Sequence, residues 1–156
     1  MAKDFLWRIT EEIGEALEAD TVDHNLPKIH EELADALHFI AGFGIVMSIS
    51  EDFVSGFQEF TYDNKPKERP KVEAQLAAPS ICLFIQALGV MGNTMKMKPW
   101  KQTDVLTDLK YARFCYRKLV KRFLEMADAF GLGLPILWDL YYRKSEVNLF
   151  RIQSKY

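Results

Sequence analysis

The sequence predicts an all-α helical bundle. Apolar residues recur at helical spacing along most of the chain, no segment alternates convincingly as a strand, and Gly and Pro fall mostly between the periodic segments. No internal repeat or low-complexity tract interrupts the pattern. The 156 residues suit one domain spanning 1–156, a length that buries roughly two-thirds of its unfolded surface.

The first helix is expected over about residues 3 to 19, stopping near Asp20-Thr21-Val22-Asp23. Asn25, whose short side chain accepts from a free backbone N–H one turn on, opens a second helix through Ile29, Leu33, Leu37 and Ile40 toward Met47. Ser50 opens a short third helix ending near Phe60. Residues 61–71, polar and with two prolines, read as an exposed loop. Val72 to Met95 reads as helical apart from Pro79 and Gly89, and Thr103 to Phe130 as a long helix with Asp104 and Asp108 in its early turns. Gly131-Leu132-Gly133 closes that helix. Pro135, with its fixed φ, then occupies the first turn of a last helix through Ile136, Leu137, Leu140 and Tyr141, leaving a polar tail from Ser145 to Tyr156.

Composition removes several classes of function. With 20 Lys+Arg against 22 Asp+Glu, the net charge of −2 gives no sequence-independent attraction to nucleic acid. Cys82 and Cys115 lie in apolar stretches at no metal-ligand spacing, so they read as small core residues and not as a disulfide framework or a zinc site. Charged residues come too early in Met1 to Arg8 for a secretory signal. The longest apolar stretch, Phe39 to Ile49, is well short of the ~20 residues needed to cross a bilayer. A cytoplasmic protein with no membrane span is the expectation.

The acidic residues carry the chemistry. At about 100° per residue, the first helix has an apolar arc of Phe5, Leu6, Ile9, Ile13, Ala16 and Leu17, with Glu12 at its edge and Glu15 and Glu11 next round. These could be a solvated acidic face near a helix N-terminus, where carboxylates are welcome. On the second helix, however, Glu32 projects between Phe39 and Phe43, and Asp35 lies beside the same arc of Ile29, Leu33 and Ile40. A carboxylate there is costly unless it is paired, protonated or bound to a cation. Arg8 or Lys28 could supply a structural salt bridge, while Ala34 and Ala36 are small enough to let a neighbouring helix approach. Each helix thus presents two carboxylates three residues apart, which project the same way. If the two helices pack antiparallel, four acidic side chains meet across one groove and raise one another's pKa. Mg²⁺ relieves such crowding with few protein ligands, and it completes its shell with water and phosphate oxygens.

A di-iron bundle would need a Glu-x-x-His on each of two helices. Among His24, His30 and His38, only Asp35-Ala36-Leu37-His38 comes near that pattern. His30 reads as a surface residue. His38, one turn after Asp35, is either a polar residue flanking the core or a group that orients a ligand or touches substrate.

The pattern Glu11-Glu12-Ile13-Gly14-Glu15, then sixteen residues, then Glu32-Leu33-Ala34-Asp35, resembles the metal-binding signature of the all-α nucleoside triphosphate pyrophosphatases: MazG proteins, phosphoribosyl-ATP pyrophosphatases and dimeric dUTPases. The extension Asp35-Ala36-Leu37-His38-Phe39 and the terminal run from Lys144 to Tyr156 look like the dimeric dUTPase branch, often carried by bacteriophages. The likeness covers roughly residues 5 to 47 and 141 to 156. It implies a MazG-like, dimeric dUTPase-like helical bundle that hydrolyses dUTP to dUMP and pyrophosphate in the cytoplasm of a bacterium or phage-infected host. Glu12, Glu15, Glu32 and Asp35 would bind Mg²⁺ and organise the triphosphate and attacking water, with one glutamate also available as base. His38, Lys144, Asn148, Arg151 and Tyr156 would complete the site for a deoxynucleoside triphosphate: Lys and Arg neutralise phosphates, and an amide pairs with a base edge. The alternative for the tail is a frayed terminus.

Dimeric dUTPases tend to carry a longer Trp- and Lys-rich insertion between the carboxylate pairs, where this chain has only Ala16 to Glu31. Pro99-Trp100-Lys101 offers an aromatic and a base elsewhere. Two further readings therefore stand beside dUTP hydrolysis: a relative acting on another nucleoside triphosphate, and a non-catalytic helical interaction module. A homodimer is expected from the resemblance and from the aromatics Phe114, Tyr116 and Phe123 on the long helix.

Overall fold

In the computed structural model, residues 2–63, 77–95 and 108–154 are described. Among them the chain forms six α-helices and no strand: α1 Ala2–Glu18, α2 Leu26–Val46, α3 Glu51–Asp63, α4 Ala77–Thr94, α5 Leu109–Ala129 and α6 Leu134–Ser154, with a π-helical turn at Ala19–Asp23 between α1 and α2. The all-α expectation holds.

Leu6, Ile9, Ile13 and Ala16 of α1 bury against the face of α2 that carries Ile29, Leu33, Ala36, Leu37 and Ile40. Phe5 meets Phe39 edge-on at 6.4 Å between ring centroids, and Glu12 lies near Glu32 and Asp35, so the pair is antiparallel. The reversal is compact. The π-helical turn ends at His24 with φ 48°, and Asn25 then caps α2, its Oδ1 accepting from the Lys28 N–H at 3.2 Å.

Against the other side of α2 lies α5. Tyr116, fully buried, donates its hydroxyl to the Ile40 carbonyl at 2.7 Å and packs on Phe43. Gly44 makes room for it, since a Cβ there would collide with the phenol oxygen. Asp108 caps α5 by accepting from the Tyr111 N–H at 3.1 Å, so it precedes the helix; Thr103 and Asp104 lie outside the described residues. At the other end Gly131 takes φ 75°, and the Leu132 and Gly131 N–H groups return to the Ala127 and Asp128 carbonyls, a closure that favours glycine.

Several expectations give way. α3 continues to Asp63, beyond Phe60, and the remainder of the expected loop, 64–71, lies outside the described residues, as do Val72 and Pro99-Trp100-Lys101. The expected tail from Ser145 is helix as far as Ser154. No Gly or Pro interrupts the run after Pro135, and the Ser145 and Ser154 hydroxyls lie within hydrogen-bond distance of carbonyls of their own helix. Cys115 is buried as expected but Cys82 is exposed, because α4 turns only its Phe84, Ala87, Leu88 and Met91 side inward. That helix is long and apolar enough, at 18 residues and mean hydropathy 1.2, to cross a membrane by length and composition, a length the apolar-run reading missed. In this fold Phe84 packs edge-on to Phe123 of α5. His30, read as a surface residue, bonds through Nε2 to the Phe130 carbonyl at 3.0 Å. Of the aromatics read as supporting self-association, Tyr116 and Phe123 are core and only Phe114 is exposed.

The most deeply buried carboxylate among the described residues is Asp52, 3% exposed, not Glu32. It accepts from Arg113 Nε at 2.7 Å and ties α3 to α5, the pairing that makes a buried charge tolerable.

Candidate metal centre

The antiparallel α1–α2 pair sets the register of the acidic residues. One carboxylate oxygen from each of Glu12, Glu32 and Asp35 lies within 4.8 Å of the others, and all three side chains are half-buried. Glu32 and Asp35 share a face of α2 because they sit one turn apart; Glu12 reaches them from α1 because Ile9 and Ile13 beside it are pinned in the core. Arg8, one of the salt-bridge partners considered for Glu32, pairs instead with Glu11 at 3.1 Å, and Trp7 Nε1 donates to the same carboxylate at 2.9 Å. Glu11 is thereby held away from the cluster.

Crowding shows in the protonation equilibria. Burial first, then the charges of Asp35, Glu15 and Glu32, push the Glu12 carboxyl up to about 7, and a hydrogen bond to Glu32 holds its proton. Glu32 is also raised, by burial and then by Glu15 and Asp35. A proton shared between Glu12 and Glu32 is what two close carboxylates adopt with no cation between them. The donor set fits a hard divalent cation: carboxylate oxygens only, gathered from two helices and partly open to water. Glu15 is exposed, one turn further along α1; its charge reaches Glu12 and Glu32, but it is not one of the converging three.

Beside the carboxylates α6 lays down a polar stripe. Lys144, Asn148 and Arg151, spaced by four and three residues, line a cleft of about 510 Å³ together with Glu12, Asp35 and His38. Phe5, Phe39 and Val147 give it an apolar wall. Lys144 Nζ lies 2.5 Å from Asp35 Oδ2 and 3.1 Å from Glu31 Oε1. Burial alone would lower the Lys144 pKa, but these two carboxylates more than offset it and the ammonium is held above its usual range.

His38 borders the cleft with both ring nitrogens engaged. Nδ1 lies 2.9 Å from the Ala34 carbonyl and Nε2 2.9 Å from Ser145 Oγ, and the ring stacks on Tyr141 at 4.0 Å. The carbonyl can only accept, so Nδ1 carries a proton. The imidazole therefore fastens α6 to α2, an arrangement that leaves no nitrogen for an iron.

Of the residues named from sequence, Glu12, Glu32, Asp35, His38, Lys144, Asn148 and Arg151 come together; Tyr156 lies outside the described residues. Glu31, Phe5, Tyr141 and Ser145 were missed, and Phe39 was noted as the end of the Asp35-to-Phe39 motif but not as part of the cleft. Glu31 carried a signal in its position one turn before Asp35 on the same face, but it reads as solvated until Lys144 is placed.

A family model described as dUTPase matches residues 19–156. Neither a curated protein nor a solved structure matches the chain. The family match takes in Glu32, Asp35 and the α6 stripe and leaves out Glu12 and Glu15, so the convergence of Glu12 on Glu32 and Asp35 is a separate observation.

Proposed function

This chain belongs to the all-α dUTPase family, and on that premise we propose that it is an Mg²⁺-dependent pyrophosphatase that hydrolyses dUTP to dUMP and pyrophosphate. The single observation that carries the reading is the meeting of Glu12, Glu32 and Asp35, of which Glu12 and Asp35 line one cleft with the cationic stripe of α6. Those three residues would hold Mg²⁺, with Glu15 at the rim as the fourth acidic group. The ion, when bound, neutralises charge building on the phosphate oxygens and acidifies the attacking water. The chain's own residues do the rest. Lys144 and Arg151 draw the triphosphate along α6, the Asn148 amide pairs with a base edge, and Tyr156 completes the nucleoside site. A glutamate of the cluster takes the proton of the water whose oxygen attacks phosphorus as the bond to pyrophosphate breaks. His38 positions α6 through Ser145. A homodimer belongs to the same reading, supported by the exposed Trp138 and Tyr142 on α6.

The test is release of pyrophosphate with Mg²⁺ from a panel of dUTP, dTTP, dCTP, dATP, dGTP and UTP. Preference for dUTP is expected. Preference for another base would make the chain a relative with a different substrate, which the short interval from Ala16 to Glu31 favours as second reading; turnover of none would leave a helical interaction module.

Protonation gives an independent check. Mg²⁺ must displace the proton on Glu12, so binding releases a proton near pH 7 and weakens as the pH falls below about 7. The sign for folding is the reverse. Glu12 binds its proton more tightly folded than unfolded, so its contribution to cation-free stability is lost as pH rises from about 4.5 to 7. Thermal melts at pH 5 and pH 8, in EDTA and in MgCl₂, should show a Mg²⁺-induced rise in Tm that is large at pH 8 and small at pH 5. Equal rises at both pH values would contradict the proton displacement.

A further inference from the structure

We infer that Lys144 is a tethered counter-ion that competes with the divalent cation for Asp35, and that Glu31 is the positioning residue that keeps the ammonium when Asp35 is given up. The inference rests on the pyrophosphatase reading above and adds to it a coupling between ion and nucleotide.

The geometry makes Asp35 a shared ligand. Its carboxylate belongs to the group within 4.8 Å that includes Glu12 and Glu32, and it also accepts from Lys144 Nζ at 2.5 Å. An ammonium and a doubly positive ion cannot lie on one carboxylate without strong repulsion, so an arriving ion must drive Lys144 off. Glu31, one turn earlier on α2 and already 3.1 Å from Nζ, is the place to which it retreats by a change of rotamer. Space exists for that change. Glu31 and Lys144 border both the main cleft and a second one of about 290 Å³ lined by Pro27, Ala34 and Leu140.

Displacing Lys144 costs free energy when the ion arrives alone. When the ion arrives with a triphosphate, the freed ammonium finds phosphate oxygens in the same cleft and the loss is recovered. Lys144 thereby makes ion and nucleotide bind cooperatively, and by linkage each strengthens the other equally. A lysine that served only phosphate, or only helix packing, would affect ion binding without nucleotide no more than a bystander charge on the same helix does.

The experiment is Mn²⁺ affinity without nucleotide, read from the electron paramagnetic resonance signal of free Mn²⁺ on the full chain. Variants are Lys144→Gln, Lys144→Met, Glu31→Gln, the Lys144→Gln/Glu31→Gln double variant and Asp35→Asn. Arg143→Gln is the charge control, since Arg143 is exposed and paired with Asp139 on the same helix. Both Lys144 variants should bind Mn²⁺ roughly fivefold more tightly than wild type, and Arg143→Gln by less than about twofold. Glu31→Gln should weaken binding in the wild-type background and lose most of that effect once Lys144 is gone. Unchanged or weaker binding in both Lys144 variants, a gain no larger than that of Arg143→Gln, or a Glu31 effect indifferent to Lys144 overturns the inference alone. Wild-type protein that binds no Mn²⁺, or binds it without dependence on Asp35, overturns the inference and the pyrophosphatase reading together.

Discussion

Glu32→Gln and Asp35→Asn should each cut Mg²⁺-dependent pyrophosphate release by about a thousandfold or more, since the ion's contribution to such a transition state amounts to several kcal/mol. Helical content, read by circular dichroism, should be unchanged in both. The two effects separate because the carboxylates are placed against their own stability. Glu32 is raised by burial and by Glu15 and Asp35, and Glu12 holds a proton partly on its account. Removing the Glu32 charge therefore relieves repulsion, and in EDTA Glu32→Gln should melt at the wild-type temperature or above it. Asp35→Asn loses the ion pair to Lys144, but Glu31 retains the ammonium, so its fold survives too. Retained turnover in either variant removes Mg²⁺ from the proposed site. Lost turnover accompanied by a collapse of helicity would instead make the acidic residues structural.

Truncation after Glu146 should weaken nucleotide binding by about a hundredfold, because Arg151 goes with a charge-assisted hydrogen bond worth about 1.5–3 kcal/mol and Asn148 with a neutral one worth about 0.5–1.5 kcal/mol. The same truncation should move Tm by only about 2 °C. Residues 146–151 and 153–154 are exposed, so little apolar surface is uncovered when they are lost. The contacts that fasten α6, the His38–Ser145 hydrogen bond, the His38–Tyr141 stack and the Phe57–Trp138 stack, all lie before the cut. Calorimetric titration with a non-hydrolysable dUTP analogue and a thermal melt on the same sample decide the ranking. A large fall in Tm with binding preserved would make the end of α6 a structural element and transfer base and phosphate recognition elsewhere.

The elements were legible in the sequence where a local signal sets them. Asn25 caps α2 as expected, Gly131 closes α5, and Pro135 lies in the first turn of α6. The last helix was cut short because none of the described side chains of its second half, residues 146–151, 153 and 154, is buried; it persists as a continuation of a helix already nucleated and docked, where each added residue costs little. Buried charge was misjudged for a related reason. Projection on one helix places Glu32 inside an apolar arc, yet the neighbour that decides burial is another helix, and it is Asp52, facing Arg113 on α5, that is enclosed.

By itself the sequence determined that the chain is helical, where most helices start and stop, and that carboxylates come in pairs one turn apart. These follow from the 3.6-residue period and from capping chemistry, both of which act over a few residues. Only the tertiary structure decided that Glu12 joins Glu32 and Asp35 while Glu11 turns to Trp7 and Arg8, and that Lys144 lies on Asp35 and Glu31. The distance between side chains on different helices is fixed by the rotation and register at which the helices pack. Those are set by the whole core at once, by Phe5 pressed against Gly42 and Tyr116 against Gly44 as much as by the acidic residues themselves.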